Sequence, residues 1–113
     1  MASEAVGRVF AALADPTRRA VVEALRRGDR RAGELASALS ISPPALSRHL
    51  RVLRASQLVE EVGDADDARV RVYRLRIATF QRLRTWIDGV EAMWSEQLTA
   101  FAEHVQRTHE KRP

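Results

Sequence analysis

Apolar residues recur every third or fourth position through the first half of the chain, alternate with polar ones between residues 58 and 76, and return to helical spacing afterwards. Val6, Val9, Phe10 and Leu13 set an amphipathic helix over about residues 3–14. Asp15-Pro16 ends it and starts the next, because a carboxylate can accept from the free N–H groups of a first turn and proline suits the first helical position. Val21, Val22 and Leu25 mark the inner face of that second helix, with Gly28 as its stop. A short third helix, about 31–39, turns Leu35, Ala36 and Leu39 inward. After the tripeptide Ser40-Ile41-Ser42, Ser42 caps and Pro43 opens a fourth helix, on which Leu46, Leu50 and Leu53 fall at i, i+4 and i+7.

Past Gln57 the period drops to two. Residues 59–62 make a weak strand, 64–68 a polar turn and 69–75 a stronger strand, so 58–76 reads as a hairpin. Phe80, Leu83, Ile87, Val90, Trp94, Leu98, Phe101 and Val105 then form one apolar stripe. About 30 residues at 1.5 Å each span about 45 Å, longer than a compact domain of this size is wide. A second copy of the chain is therefore expected to cover the stripe, with Phe10 and Leu13 of the first helix and Trp86, Ile87, Val90 and Trp94 of the last near the centre of a homodimer interface. A small effector pocket within that interface stays open as an alternative use of the same residues.

The outer side of the fourth helix carries a different chemistry. Ser47, Arg48, Arg51 and Arg54 fall away from the Leu46, Leu50 and Leu53 face. Two helices joined by a three-residue turn, the second polar on its outside and followed by a hairpin, form a winged helix-turn-helix pattern. The fold class expected is mainly α with a small β-hairpin: about five helices plus a two-stranded wing. One domain is expected over residues 1–107, followed by a disordered tail at 108–113. In that arrangement residues 43–55 enter the DNA major groove, which admits one α-helix. Candidate DNA-contacting residues are Ser42, Pro44, Ser47, Arg48, His49, Arg51 and Arg54 on the helix and Arg69 and Arg71 on the wing. His49 lies beside the Leu46/Leu50 face, where packing or a phosphate contact suits it as well as base reading does.

Charge agrees with this reading without deciding it. The chain has 19 Lys and Arg against 15 Asp and Glu, a net charge of +4, and Lys111 is its only lysine. Arginine forks pair bidentately with phosphate and with guanine. From Arg26 to Arg54 seven arginines face only Asp29 and Glu34, an excess of five positive charges (7 − 2) and the local footprint of phosphate contact. A GC-rich coding sequence would enrich arginine and alanine as well, so composition alone does not settle the matter.

Absences exclude several classes. With no cysteine there are no disulfides, thiolate metal sites or cysteine nucleophiles. No apolar run approaches the roughly 20 residues that span a bilayer, and no leader-like segment opens the chain, so a cytoplasmic protein is expected. No Ser-His-Asp order, glycine-rich phosphate loop or paired-carboxylate cleft suggests an enzyme, and Asp66-Asp67 sit in a polar turn.

The segments ALADPTRRAVVEAL (12–25), GELASAL (33–39), SPPALSRHLRVLRASQLV (42–59) and RVYRL (71–75) resemble the ArsR/SmtB family of winged-helix repressors. With the flanking helices the resemblance covers nearly the whole chain, and Trp86 and Trp94 look like its metal-independent branch, which includes autorepressors. The resemblance implies a homodimer that binds a near-palindromic operator in double-stranded DNA and represses its own or a neighbouring operon. Three features depart from the pattern. Ser40 and Gln57 stand where glycine is usual, and the wing tip Asp64-Ala65-Asp66-Asp67 is acidic, which should weaken its approach to phosphate.

Some members build zinc sites across their paired last helices. His104 and His109, five apart with Glu103 and Glu110 nearby, do not match the ligand spacing such sites need, so no metal and no cofactor are expected. Two alternatives remain at this stage: a metal- or small-molecule-responsive repressor with its effector, small molecule or protein, unidentified; and a winged-helix protein-interaction module that binds no DNA.

Overall fold

The structure is a computed structural model that describes the backbone of residues 2–110 and the side chains of residues 4–109. Its elements are α1 (Ala2–Leu13), α2 (Pro16–Arg26), β1 (Arg30–Arg31), α3 (Ala32–Leu39), α4 (Pro43–Ala55), β2 (Val59–Gly63), β3 (Arg71–Leu75) and α5 (Ile77–Glu110). Five helices and a wing were expected. The wing, however, is a three-stranded antiparallel sheet of order β1-β3-β2, not two strands. Arg30 pairs with Tyr73 and Arg31 with Val72. Two adjacent arginines have no apolar alternation, so β1 leaves no periodic trace in the sequence.

Contacts divide the chain into two units, residues 1–81 and 82–113. The first holds a closed core of Val9, Ala12, Val21, Leu25, Leu35, Ala36, Leu46, Leu50, Leu53, Leu58 and Val59. Leu46, Leu50 and Leu53 are the i, i+4 and i+7 positions of α4, Val21 and Leu25 the i and i+4 positions of α2, Leu35 and Ala36 neighbours on α3, and Leu58 and Val59 follow the α4 corner. On α1 the buried pair is Val9 and Ala12, whereas Phe10 is exposed and Leu13 half-buried.

Helix ends follow from local side-chain chemistry. The Asp15 carboxylate accepts from the Arg18 N–H at 3.0 Å, and Pro16 sits in the first turn of α2. Ser42 repeats the arrangement before α4, its Oγ accepting from Ala45 N–H at 3.2 Å with Pro43 next in the chain. Both α3 and α4 end on a residue in the left-handed region, Ser40 with φ 53° and Gln57 with φ 66°. After α3, Ile41 N–H donates to Ala36 C=O and Ser40 N–H to Ser37 C=O. After α4, Leu58 N–H donates to Leu53 C=O and Gln57 N–H to Arg54 C=O, and Leu53 and Leu58 are both fully buried. That pair of bonds is how a helix closes on a left-handed residue.

The start of α5 is tied to the corner after α4. Arg76 N–H donates to Leu58 C=O at 2.9 Å, Arg76 Nη1 donates to the Gln57 side-chain oxygen, and the buried Thr79 hydroxyl donates to Gln57 C=O.

The second unit is the remainder of α5. Trp86, Ile87, Met93, Trp94, Leu98, Phe101 and Val105 are exposed along it, and Val90 is half-buried. The helix includes residues 108–110, so the first half of the expected tail is helical; residues 111–113 lie outside the described residues. Among the described residues no helix is long and apolar enough to cross a membrane.

Candidate nucleic-acid interface

Helix α4 buries Leu46, Leu50 and Leu53, and this fixes which side chains face outward. Pro44, Ser47, Arg48, Arg51 and Val52 are exposed along it. Pro44, Arg48, Arg51 and Val52 lie on the side opposite the leucines, since successive residues step about 100° around a helix. Neither Arg48 nor Arg51 has a carboxylate within ion-pair distance among the described residues. Their guanidinium groups keep all five N–H donors for an external acceptor. Ser42 is also exposed, but its hydroxyl oxygen accepts from Ala45 N–H. What remains to it for an outside partner is the hydroxyl proton.

His49 sits on a flank of α4, half-buried against the start of α2. Its Nδ1 lies 3.5 Å from Arg18 Nη1 and 3.9 Å from Asp15 Oδ1. Its imidazole thus faces a polar cluster between α4 and the start of α2. Arg18 also donates through Nε to Ala12 C=O at 2.6 Å, so it links the end of α1, the start of α2 and the middle of α4. The Asp15 carboxyl is held below its ordinary range chiefly by the Arg18 N–H, against a smaller opposing effect of desolvation. The Arg18 guanidinium, the Thr17 N–H and His49 add to the lowering.

The wing distributes its charge differently. Glu61 on β2 is four-fifths covered; its Oε2 lies 3.0 Å from Arg54 Nη1 and its Oε1 3.3 Å from Arg71 Nε. One carboxylate therefore holds the last arginine of α4 and the first residue of β3. Glu61 is the register partner of Tyr73. The Tyr73 phenol is raised above its usual range by burial first and by the Glu61 charge second.

Arg69, expected on the strand, lies in the turn before β3, where Nε and Nη2 reach Asp67 at 3.2 and 3.4 Å. Asp67 also accepts from Arg69 N–H at 3.0 Å, and Asp64 accepts from Asp66 N–H at 2.8 Å and from Arg31 Nη2 at 3.1 Å. The acidic tip is thus the turn's own hydrogen-bonding scaffold. Turn N–H groups, assisted by Arg31 and Arg69, hold both carboxyls below the usual range.

Of the expected contacts, the structure gathers Pro44, Ser47, Arg48 and Arg51 on exposed helix surface, brings Arg54 and Arg71 together through Glu61, and leaves Arg69 at the wing tip. The sequence shows Glu61 and Arg18 only as polar members of a strand and a helix, and Asp64 only as part of an acidic tip. Opposite charges on neighbouring elements were the one available signal, and it needs the tertiary pairing to be read. No group of three or more His, Asp or Glu among the described residues is arranged to hold a metal ion.

Residues 15–61 match the sequence profile of a family described as bacterial regulatory protein, arsR family. The chain is 43% identical over 96 residues to the HTH-type transcriptional regulator Rv2034 of Mycobacterium tuberculosis, a match covering 85% of this chain and 84% of that protein. It is 38% identical over 56 residues to the transcriptional repressor SdpR of Bacillus subtilis, covering 50% of this chain and 62% of that one. Among solved structures it resembles an ArsR-like transcriptional regulator from Rhodococcus sp. RHA1, with a TM-score of 0.80 and 33% identity over 89% of this chain and 92% of that one.

Proposed function

Since the chain belongs to the arsR family of bacterial regulatory proteins, and is thus a DNA-binding transcriptional regulator and not an enzyme, we propose that it is a homodimeric repressor that reads a near-palindromic operator with α4. The observation that carries this reading is the exposed outer face of α4, where Arg48 and Arg51 have no carboxylate partner among the described residues while the arginines beside the wing do. Arg48 and Ser47 take the base edges, and Arg51 takes a phosphate. Pro44 packs against the groove wall, and Ser42 supports the same end of the helix. Arg54, Arg69 and Arg71 rank below these, because each already satisfies a carboxylate. His49 serves by bracing α4 against α2.

The exposed apolar residues of α5, Trp86, Ile87 and Trp94, with Val90 beside them, support a dimer made by a second copy of the chain, to which Phe10 and Leu13 of α1 contribute. Residues 1–107 then act as one DNA-binding and dimerising module in the cytoplasm, without a metal cofactor. The likeness to a protein named a transcriptional repressor supports repression as the outcome of binding. The test is selection of bound fragments from random DNA by the purified protein, followed by gel shift on the recovered site. Recovery of a two-fold site with half-sites one helical turn or a small multiple apart, about 34–36 Å per turn, is expected. Recovery of no preferred sequence would overturn the reading.

A further inference from the structure

The positive charge that faces outward is not spread evenly between α4 and the wing. Among the described residues Arg48 and Arg51 lack carboxylate partners, whereas Arg31 is held by Asp64, Arg69 by Asp67, and both Arg54 and Arg71 by Glu61. Glu61 differs from the two aspartates in what it does for the backbone. Asp64 and Asp67 accept turn N–H groups and build the tip, but both oxygens of Glu61 go to guanidinium groups. Strand β2 is already closed by its ladder with β3, from Val59 opposite Leu75 to Gly63 opposite Arg71. The Glu61 side chain is only 19% exposed, whereas those of Arg54 and Arg71 are 51% and 62% exposed. A largely covered anion thus lies behind two cations that are open to solvent.

We propose that Glu61 is an internal counter-anion: it occupies the bonds that Arg54 and Arg71 would give to a backbone phosphate, and so damps sequence-independent attraction between the wing side of the protein and DNA. The inference rests on the DNA-binding reading above and deepens it. The three groups together carry a net charge of +1 (2 − 1). A phosphate approaching the two arginines meets a carboxylate behind them and must share their donors with it. Neutral glutamine at the same place would leave two charges uncompensated. Less non-specific binding improves discrimination, because a regulator's selectivity depends on the ratio of specific to random affinity.

The experiment measures Glu61→Gln and Glu61→Thr, the second chosen because threonine suits a strand, beside the wild-type chain. Each is titrated against a random duplex over a range of salt and is eluted from heparin, a polyanion that needs no base reading. Both variants are expected to bind random duplex several-fold more tightly at about 100 mM salt, with a salt slope steeper by about 0.9 for each phosphate newly engaged per chain, and to leave heparin at higher salt. Adding Arg54→Gln and Arg71→Gln to Glu61→Gln should abolish the gain. Unchanged or weaker polyanion binding in folded variants would overturn the proposal and make Glu61 a plain structural tie. The two failures are distinguishable: a chain that selects no operator, while its Glu61 variants bind random duplex more tightly and leave heparin later, refutes the operator reading and leaves the counter-anion standing.

Discussion

Ser40 and Gln57 bracket α4 in the same backbone state, with φ of 53° and 66°, and each closes the helix before it with a matching pair of backbone hydrogen bonds. A left-handed residue with a β-carbon costs roughly 1–2 kcal/mol, part of which glycine would return through its own greater loss of chain entropy. Ser40→Gly is therefore expected to stabilise the fold by about 0.5–1 kcal/mol and raise the melting temperature by about 2–5 °C. Gln57→Gly should gain less, because it also removes the side-chain acceptor used by Arg76. Ser40→Val should destabilise. Urea unfolding of the three variants checks the order, and a loss of stability in Ser40→Gly would contradict the strain argument.

Both positions were visible in the sequence as departures from glycine, and the caps Asp15 and Ser42 were visible as well. Those features depend on a residue and its chain neighbours, which a sequence displays directly. What stayed hidden depends on residues far apart in the chain. Arg18 and His49 are 31 positions apart, and Arg31 and Asp64 are 33 apart. Their pairing follows from how α2 and α3 lie against α4 and the wing, and no local period encodes it. Strand β1 was missed because two arginines joining a sheet edge have neither the length nor the alternation of a strand. Arg54 and Arg71 were identified as cations, but Glu61, which decides how far they are available, looked like any polar residue of a hairpin.

Acid should loosen the junction between α2 and α4. The Asp15 carboxyl is lowered from its ordinary value of 3.8, first by the Arg18 N–H it accepts. A carboxyl depressed in the folded state stabilises fully above its unfolded value, and the contribution is lost as pH falls through the folded one. The loss attributable to Asp15 therefore lies below about pH 3.8. Asp64 and Asp67 are lowered in the same sense and add to the same window. Asp15→Asn keeps a side-chain oxygen for capping but cannot titrate, so its stability should fall less steeply with acid than that of the wild type. Parallel stability-versus-pH curves for the two proteins, from denaturant melts between pH 2 and 5, would remove Asp15 from the account.

The apolar side of α5 makes a separate prediction about assembly. Trp94 and Leu98 are 58% and 59% exposed, one helical turn apart. Placing charge on that face should be tolerated by a monomer and should break a dimer whose interface resembles a core cut in half. Sedimentation at micromolar concentration is expected to show dimer for the wild type and monomer for Trp94→Glu, with helical circular dichroism retained. A wild-type chain that sediments as monomer throughout would remove the homodimer, and with it the expected two-fold operator.

The sharpest division of labour proposed for α4 is between Arg48 and Arg51, neighbours one turn apart that both lack carboxylate partners among the described residues and both lie on the exposed face. In the proposed complex Arg48, nearer the N-terminal half of α4, enters the groove, while Arg51, farther along, meets the backbone. A bidentate arginine–guanine pair is worth about 1–3 kcal/mol of discrimination, so Arg48→Ala should weaken operator binding by roughly that amount and relax preference at one base in each half-site. Arg51→Ala should instead weaken operator and random DNA to similar degrees and lower the salt slope of the dimer by about 2, one phosphate for each chain. Ser47→Ala should cost less than either, since a hydroxyl can serve several bases equally well. Gel-shift titrations of the three variants on the selected site and on its single-base mutants, each at several salt concentrations, separate the two signatures. An Arg48→Ala protein with unaltered base preference would move base reading elsewhere on the exposed face, with Val52, 40% exposed and able to meet a thymine methyl, the next residue to change.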